Sequence, residues 1–141
     1  MLYLRRFSLP GQGAEASFLA RDSENKRTCY GSRYPFGYGL AYTQFEYSDL
    51  RVESESVDIE RGEISVMCRV RNVGARSGVA VPQLYVRDEI ASVVRPVKEL
   101  KAFGRIELAA GQSQLVEFIV PTDMLCFTGG DGKRVVEPGV F

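Results

Sequence analysis

Residues Ser77–Asp88 read SGVAVPQLYVRD, and this stretch predicts the fold of the chain. It is rich in Val, Leu and Tyr, which favour the pleated, half-buried surface of a β-sheet. Alternate residues of a strand share a face. The first face carries Ala80, Pro82, Leu84 and Val86, and the second carries Val81, Gln83, Tyr85 and Arg87. We expect the first set to face the core, because the second contains Gln and Arg. Pro82 has no backbone N–H, which predicts a bulge or an edge position there.

The segments around this stretch show the same two-residue period. Two apolar rows are predicted to face inward: Ile64, Val66, Cys68 and Val70, and Val116, Phe118 and Val120. A change of phase at Ser48–Asp49 predicts a kink, residues 60–63 predict a hairpin turn, and Gly104 predicts a bulge. No helix-length amphipathic stretch follows Thr43. The pattern therefore predicts an all-β fold, an antiparallel sandwich of short strands joined by turns.

Length and charge set limits on the partners of the chain. Its 141 residues suffice for one domain with a core of its own, and 45% of them are hydrophobic. Lys and Arg total 18, as do Asp and Glu, so no net field attracts nucleic acid or an anionic membrane. No window has the length of a membrane span, and the first residues lack the apolar run of a signal peptide. We therefore expect neither nucleic-acid nor membrane binding.

Several kinds of catalytic site and metal site are excluded by composition. The chain has no histidine, which rules out Ser-His-Asp and Cys-His catalysis and His-ligated metals. Its cysteines, Cys29, Cys68 and Cys126, are odd in number and widely spaced, unlike a disulfide framework or a zinc site. Cys68 falls in an inward row and is expected to be a small buried hydrophobic residue. We expect no metal and no cofactor.

The carboxylates offer no convincing acid/base pair. One group alternates with serines and flanks a turn, where solvated side chains are expected: Glu53, Glu55, Asp58, Glu60 and Glu63. Asp123 and Asp131 lie beside turns, and turn chemistry explains both. The serines have no neighbouring base to activate them. The sequence therefore predicts no catalytic residue.

An aromatic and glycine-rich stretch, Tyr34–Tyr42 (YPFGYGLAY), is the main candidate for a binding function. Its Gly-x-Gly lacks the third glycine and the strand–helix context of a phosphate loop. Glycines permit close backbone approach, and the aromatic side chains need a surface to lie on. We expect an extended connector that is pressed against a neighbouring domain. The predicted docking residues are Tyr34, Pro35, Phe36, Tyr38, Leu40 and Tyr42.

The chain divides into three parts on this evidence. Residues 1–33 show no sustained period and are expected to form an irregular arm, with one short helix or strand near Ala14–Ala20. Residues 34–44 form the connector, and residues 45–141 form the sandwich.

The motifs resemble those of a known family. Residues 34–50 are similar to the junction that precedes the C-terminal domain of glycoside hydrolase family 3 enzymes, in which Ser usually stands where this chain has Ala41. The similarity continues through RNVG at 71–74, PQLYVRD at 82–88, RPVKELKAF at 95–103 and RVVEPG at 134–139. These motifs occur in the family's order. The branch that they most resemble is that of the bacterial β-glucosidases and β-xylosidases.

The resemblance implies a fibronectin type III-like β-sandwich. It also implies that the catalytic Asp and Glu lie on a barrel domain and an α/β domain that this chain lacks, and that these two domains are its partners. A β-linked oligosaccharide at the periphery of the domain is a further implied partner, and the implied parent is periplasmic or secreted. Residues 1–33 match poorly and are read as a possible remnant of the preceding domain. The chain stops at Val140–Phe141, where the family begins its last strand, so we expect that strand to be lacking and a sheet edge to be open.

Three functional hypotheses remain open at this point. The first is a non-catalytic accessory domain that packs against the catalytic domains of a glycoside hydrolase. The second is an autonomous carbohydrate-binding or adhesion module, against which the absence of Trp counts, since sugar-binding surfaces rely on exposed flat aromatics. The third is a truncated reading frame with no independent function.

Overall fold

A computed structural model describes Leu2–Tyr3, Tyr34 and residues 36–141. The predicted arm, apart from Leu2–Tyr3, lies outside the described residues, as do the short element expected near Ala14–Ala20 and the docking residue Pro35.

The described residues form β-strands and one short 3-10 helix, which confirms the all-β expectation. The strands are β1 Leu2–Tyr3, β2 Phe45–Val52, β3 Ser56–Val57, β4 Glu63–Asn72, β5 Gly78–Ala80, β6 Gln83–Val86, β7 Glu99–Phe103, β8 Ile106–Leu108, β9 Ser113–Pro121, β10 Phe127–Thr128, β11 Arg134–Val135 and β12 Gly139–Val140. The helix, Thr122–Leu125, follows β9. Within the described part of the chain, no helix has the length and apolarity that crossing a membrane would require.

The first layer is the antiparallel sheet β2-β4-β9, with β4 in the centre. Both predicted rows face inward: Ile64, Val66, Cys68 and Val70 are buried on β4, and Val116 and Val120 on β9, with Phe118 partly buried between them. The sheet is also kinked where β2 changes phase. Its register with β4 shifts between Ser48 and Arg51, and Asp49 takes a left-handed φ of 53° there.

The second layer consists of the antiparallel pairs β5-β8 and β6-β7. Val81 and Pro82 separate β5 from β6, and the backbone N–H of Gly104, between β7 and β8, donates to the Pro82 carbonyl across 2.9 Å. The strands are thus broken at Pro82 and at Gly104, which face each other. The register shift that marks a bulge lies between Leu84 and Tyr85, opposite Lys101, and not at Gly104 as predicted. The predicted inner face is confirmed, since Ala80, Pro82 and Leu84 are buried and Val86 packs on the core.

The two layers meet in a core that joins distant parts of the chain. Val66 of β4, Leu84 of β6 and Val120 of β9 belong to one buried cluster, which also contains Phe141. Fully burying a side chain of this kind contributes roughly 1.5–3 kcal/mol relative to exposing it. Packing of both sheets on the same cluster gives the sandwich that the alternating pattern predicted.

The hairpin predicted at residues 60–63 is wrong in one respect. A turn is present, with the Gly62 N–H donating to the Asp58 carbonyl across 3.1 Å, but β3 pairs with β1 and not with β4. Thr122 supplies the reason. Its backbone N–H donates to the Gly62 carbonyl at 3.0 Å, and its hydroxyl donates to the Ile59 carbonyl at 2.9 Å. The turn is thus fastened to the end of β9 instead of closing a ladder.

Two smaller sheets complete the described fold. In the order β12-β1-β3, β1 runs parallel to β12 and antiparallel to β3, so the start of the chain joins its end. Strands β10 and β11 form a hairpin, and the turn between them contains Asp131.

Candidate docking surface

One end of the aromatic connector is fixed on the outer face of β6. Gly37 has a left-handed φ of 85°, and a Cβ there would collide with the Tyr85 hydroxyl and the Gln83 side-chain oxygen. The Tyr85 hydroxyl donates to that oxygen, and Gln83 Nε2 donates to the Gly37 carbonyl at 3.5 Å. Only glycine combines this backbone angle with so close an approach. Gly37 is therefore the first anchor of the connector.

The other end is fixed at the turn between β4 and β5. The Thr43 hydroxyl donates to Asn72 Oδ1 across 2.8 Å, and the Val73 N–H donates to the Gln44 carbonyl across 2.9 Å. Gly74 makes this second anchor possible, because a Cβ at Gly74 would overlap the Thr43 hydroxyl. The connector is therefore held at both ends, although it forms no regular strand between them.

Between and beside these anchors, the connector presents its large side chains to solvent. The exposed fractions of its apolar and aromatic residues run from 54% to 100%, for Tyr34, Phe36, Tyr38, Leu40 and Tyr42. No charged residue occurs from Tyr34 to Phe45. Large apolar side chains that are exposed together on an uncharged segment are characteristic of an interaction site. We call this surface, defined by these five residues, the connector face.

Aromatic contacts join the connector face to β6. The rings of Phe36 and Tyr85 meet edge to face with centroids 6.0 Å apart, and those of Tyr34 and Tyr38 lie 5.0 Å apart. Lys98 places its ammonium 4.8 Å from the centre of the Tyr85 ring. Tyr85 thus contacts both Phe36 of the connector face and Lys98 of the loop after β6.

The loop after β6 is held by a network of ions beside this surface. Arg95 bonds Asp88 at 3.0 Å and Glu99 at 2.8 Å, and Lys101 bonds Glu99 at 2.7 Å. The Arg95 and Asp88 side chains are only 8% and 4% exposed. Burial alone would raise the pKa of Glu99. Lys101 and Arg95 outweigh this effect, because each is positively charged and each donates a hydrogen bond to the carboxylate. The pKa of Glu99 is therefore held below its usual value.

The other residues considered as sites occupy structural positions. Asp58 accepts hydrogen bonds from the backbone N–H groups of Glu60 and Arg61, and Asp131 accepts one from that of Lys133. Both carboxylates therefore stabilise turns. Among the residues that the structure describes, no group of three or more Cys, Asp or Glu could hold a metal ion.

The sequence did not indicate where on the sandwich the connector attaches. Gln83 and Tyr85 were assigned correctly to the outer face of β6, yet nothing local indicated that Gly37 would fold onto them. The shared outer phase of a Gln and a Tyr, followed by Lys98 just before the next strand, was the available signal. The ion network around Arg95 was missed as well, because its members lie on both sides of a loop.

Comparison with known proteins places the domain. Residues 80–141 match the fibronectin type III-like domain model. The chain is 43% identical over 111 residues to a putative beta-xylosidase of Formosa agariphila, covering 79% of this chain and 15% of the relative. It is 40% identical over 111 residues to a periplasmic beta-glucosidase of Salmonella typhimurium, covering 79% of this chain and 14% of the relative. The chain thus spans only a small part of the length of the relatives it matches.

Solved structures agree with this placement. A beta-glucosidase of Listeria innocua superposes with a TM-score of 0.72 at 34% identity, over 83% of this chain and 16% of that one. A beta-glucosidase of Erythrobacter marinus gives a TM-score of 0.69 at 42% identity, over 75% of this chain and 14% of that one.

Proposed function

We propose that this chain, which belongs to the fibronectin type III-like domains of glycoside hydrolase family 3, is the non-catalytic accessory domain of a β-glucosidase or β-xylosidase. Its role is to brace the catalytic domains by packing against them. The parent enzyme would hydrolyse O-glycosyl bonds, and this domain would contribute no reacting group.

The connector face is the observation that carries the proposal. An uncharged surface of aromatic and aliphatic side chains stays exposed although its backbone is fastened at Gly37 and at Thr43. Because the backbone is already ordered, docking costs less conformational entropy than it would for a free segment. The proposed docking residues are Tyr34, Pro35, Phe36, Tyr38, Leu40 and Tyr42, of which Pro35 lies outside the described residues.

The proposal includes a division of the chain. Residues 34–44 are the docking connector and residues 45–141 are the sandwich that holds it, while residues 1–33 are an irregular arm, a remnant of the preceding domain. The similarity to a periplasmic beta-glucosidase supports a periplasmic or secreted parent.

A binding experiment with a defined probe tests the docking role. The probe is the Formosa agariphila beta-xylosidase from which the residues that align with this chain have been deleted, called here the truncated relative. We expect the chain to bind it in biolayer interferometry, and the connector variant Tyr38→Ser/Leu40→Ser/Tyr42→Ser to lose that binding. The control is Leu115→Ser/Ile119→Ser, which removes two half-exposed aliphatic side chains from the outer face of β9 and should bind normally.

Two results would overturn the proposal. One is binding of the connector variant at wild-type strength, or no binding by any form of the chain. The other is turnover of aryl β-glucosides or β-xylosides by the chain alone, because an accessory domain has no acid/base pair with which to cleave them.

A carbohydrate-binding module is the second candidate, and the same aromatic rings favour it. Tyr38 and Tyr42 are exposed on a fastened backbone, and aromatic side chains of that kind are used by sugar-binding surfaces. Affinity electrophoresis in soluble β-glucans and xylans separates the two candidates. Retardation of the chain, abolished in the connector variant, would favour carbohydrate binding.

A further inference from the structure

A second exposed apolar surface lies on the loop that joins β6 to β7, residues 87–98. Ile90, Val94 and Val97 are 85%, 103% and 74% exposed, and no charged residue occurs from 90 to 94. Single exposed aliphatic residues are ordinary on protein surfaces, but three such residues on one short loop require an explanation. We call these three residues the loop tip.

Ion pairs, a cation–ring contact and a hydrogen bond hold this loop in place. Arg95 bridges Asp88 at one end and Glu99 at the other, and its guanidinium lies 4.8 Å from the centre of the Phe127 ring. Glu137 accepts a hydrogen bond from the Ser92 N–H at 3.0 Å. Side chains from three other parts of the chain thus hold a loop whose tip contacts solvent.

The loop tip is linked to the connector face through Lys98 and Tyr85. Val97 precedes Lys98, whose ammonium lies over the Tyr85 ring, and Tyr85 contacts Phe36 of the connector face. The Asp88 and Glu99 carboxylates are turned toward Arg95, and the exposed Lys98 is the charged side chain between the two surfaces.

We propose that the loop tip is a second docking element, which seats Ile90, Val94 and Val97 in an apolar recess of the same catalytic portion that receives the connector face. This inference rests on the proposed function and adds a contact region to it. The occupant is the catalytic portion because the chain spans 14–15% of the relatives' length, which leaves most of their polypeptide available to cover the patch. The Arg95 network orders the loop in advance, so docking does not have to order it.

The test uses the full chain and the truncated relative. The loop variant Ile90→Ser/Val94→Ser/Val97→Ser should bind on the order of ten-fold more weakly than the wild type, as expected when apolar anchors are removed from an interface. The Leu115→Ser/Ile119→Ser variant is the matched control and should bind unchanged. Hydrogen exchange of the wild-type chain gives an independent reading, in which the backbone N–H groups of residues 90–97 should become protected when the truncated relative binds.

The outcomes distinguish this inference from the one on which it rests. If the connector variant loses binding while the loop variant binds normally and residues 90–97 gain no protection, the loop inference is overturned and the proposed function stands. If the loop variant loses binding and the connector variant does not, the loop tip is a docking element and the connector proposal fails. Concentration-dependent dimerisation of the chain that the loop variant abolishes would make a second copy the occupant, and would also overturn the inference.

Discussion

The hydroxyl of Thr43 donates a hydrogen bond to Oδ1 of Asn72 across 2.8 Å, and this bond fastens the connector to the end of the central strand. Asn72 is fully buried, and its side chain meets all its hydrogen-bonding needs. It also accepts from the Gly74 N–H and donates to the carbonyls of Arg76 and Leu108, at 2.7 and 3.0 Å. One amide thus joins the connector, the β4–β5 turn and β8.

Asn72→Ala should destabilise the chain by about 2 kcal/mol, because it leaves the buried Leu108 carbonyl and three part-buried groups without a hydrogen bond. The free energy of unfolding in urea measures the effect. Thr43→Val removes only one of these bonds and should cost about 1 kcal/mol. Equal losses for the two variants would contradict the central role assigned to the Asn72 side chain.

Gly37→Ala should release the connector from β6, since alanine at Gly37 meets the Tyr85 hydroxyl and adopts a φ of 85° only with strain. Chymotrypsin cleavage after Tyr38 should then become roughly ten-fold faster, as expected for a segment that opens locally. Gly39→Ala is the control within the same segment, because a Cβ there has no neighbour within 4 Å. Unchanged cleavage of Gly37→Ala would argue against this anchor.

Arg95→Met should cost about 3 kcal/mol, because it leaves the buried Asp88 carboxylate without its partner. The matched variant Arg69→Met removes an ion pair with Asp49 whose side chains are 46% and 49% exposed, and it should cost less than about 1 kcal/mol. Urea unfolding of both variants gives the comparison. A loss no larger at Arg95 than at Arg69 would show that the network does not stabilise the loop.

The stability of the chain should depend on pH through Glu99. Its pKa is lowered in the folded state, so the unfolded state binds more protons and the unfolding free energy rises with pH. The contribution is complete above the ordinary Glu value of 4.5 and is lost as the pH falls through the lower folded value. Glu99→Gln should flatten the urea-midpoint profile below pH about 5, where the wild type loses this contribution. Parallel profiles for Glu99→Gln and wild type would refute the assignment.

Cys68 should react slowly with a thiol reagent. It is buried between the sheets, and that burial raises the pKa of its thiol, so little reactive thiolate forms at neutral pH. In a Cys29→Ser background, Cys126, which is partly exposed, should be modified first, and Cys68 only as the chain unfolds. Dithionitrobenzoate absorbance follows both steps. Simultaneous modification of the two thiols in the folded chain would contradict the burial.

The sequence by itself determined the layers of the fold. The rows from Ile64 to Val70 and from Val116 to Val120 followed from the alternation of side chains along a strand, and the break at Pro82 followed from its missing N–H. The kink near Asp49 was visible as a change of phase. These features depend on the local geometry of the backbone, which a short stretch of sequence specifies.

Only the tertiary structure decided how distant segments meet. The seat of Gly37 on Tyr85, the bridge of Arg95 between Asp88 and Glu99, and the bonding of the 59–62 turn to Thr122 join residues with no shared sequence pattern. Because of the bonds to Thr122, the predicted hairpin is a turn between β3 and β4, which do not pair with each other. The geometry of these three contacts follows from the packing of the two sheets. The same packing fixes the backbone of the aromatic stretch on the surface of the domain.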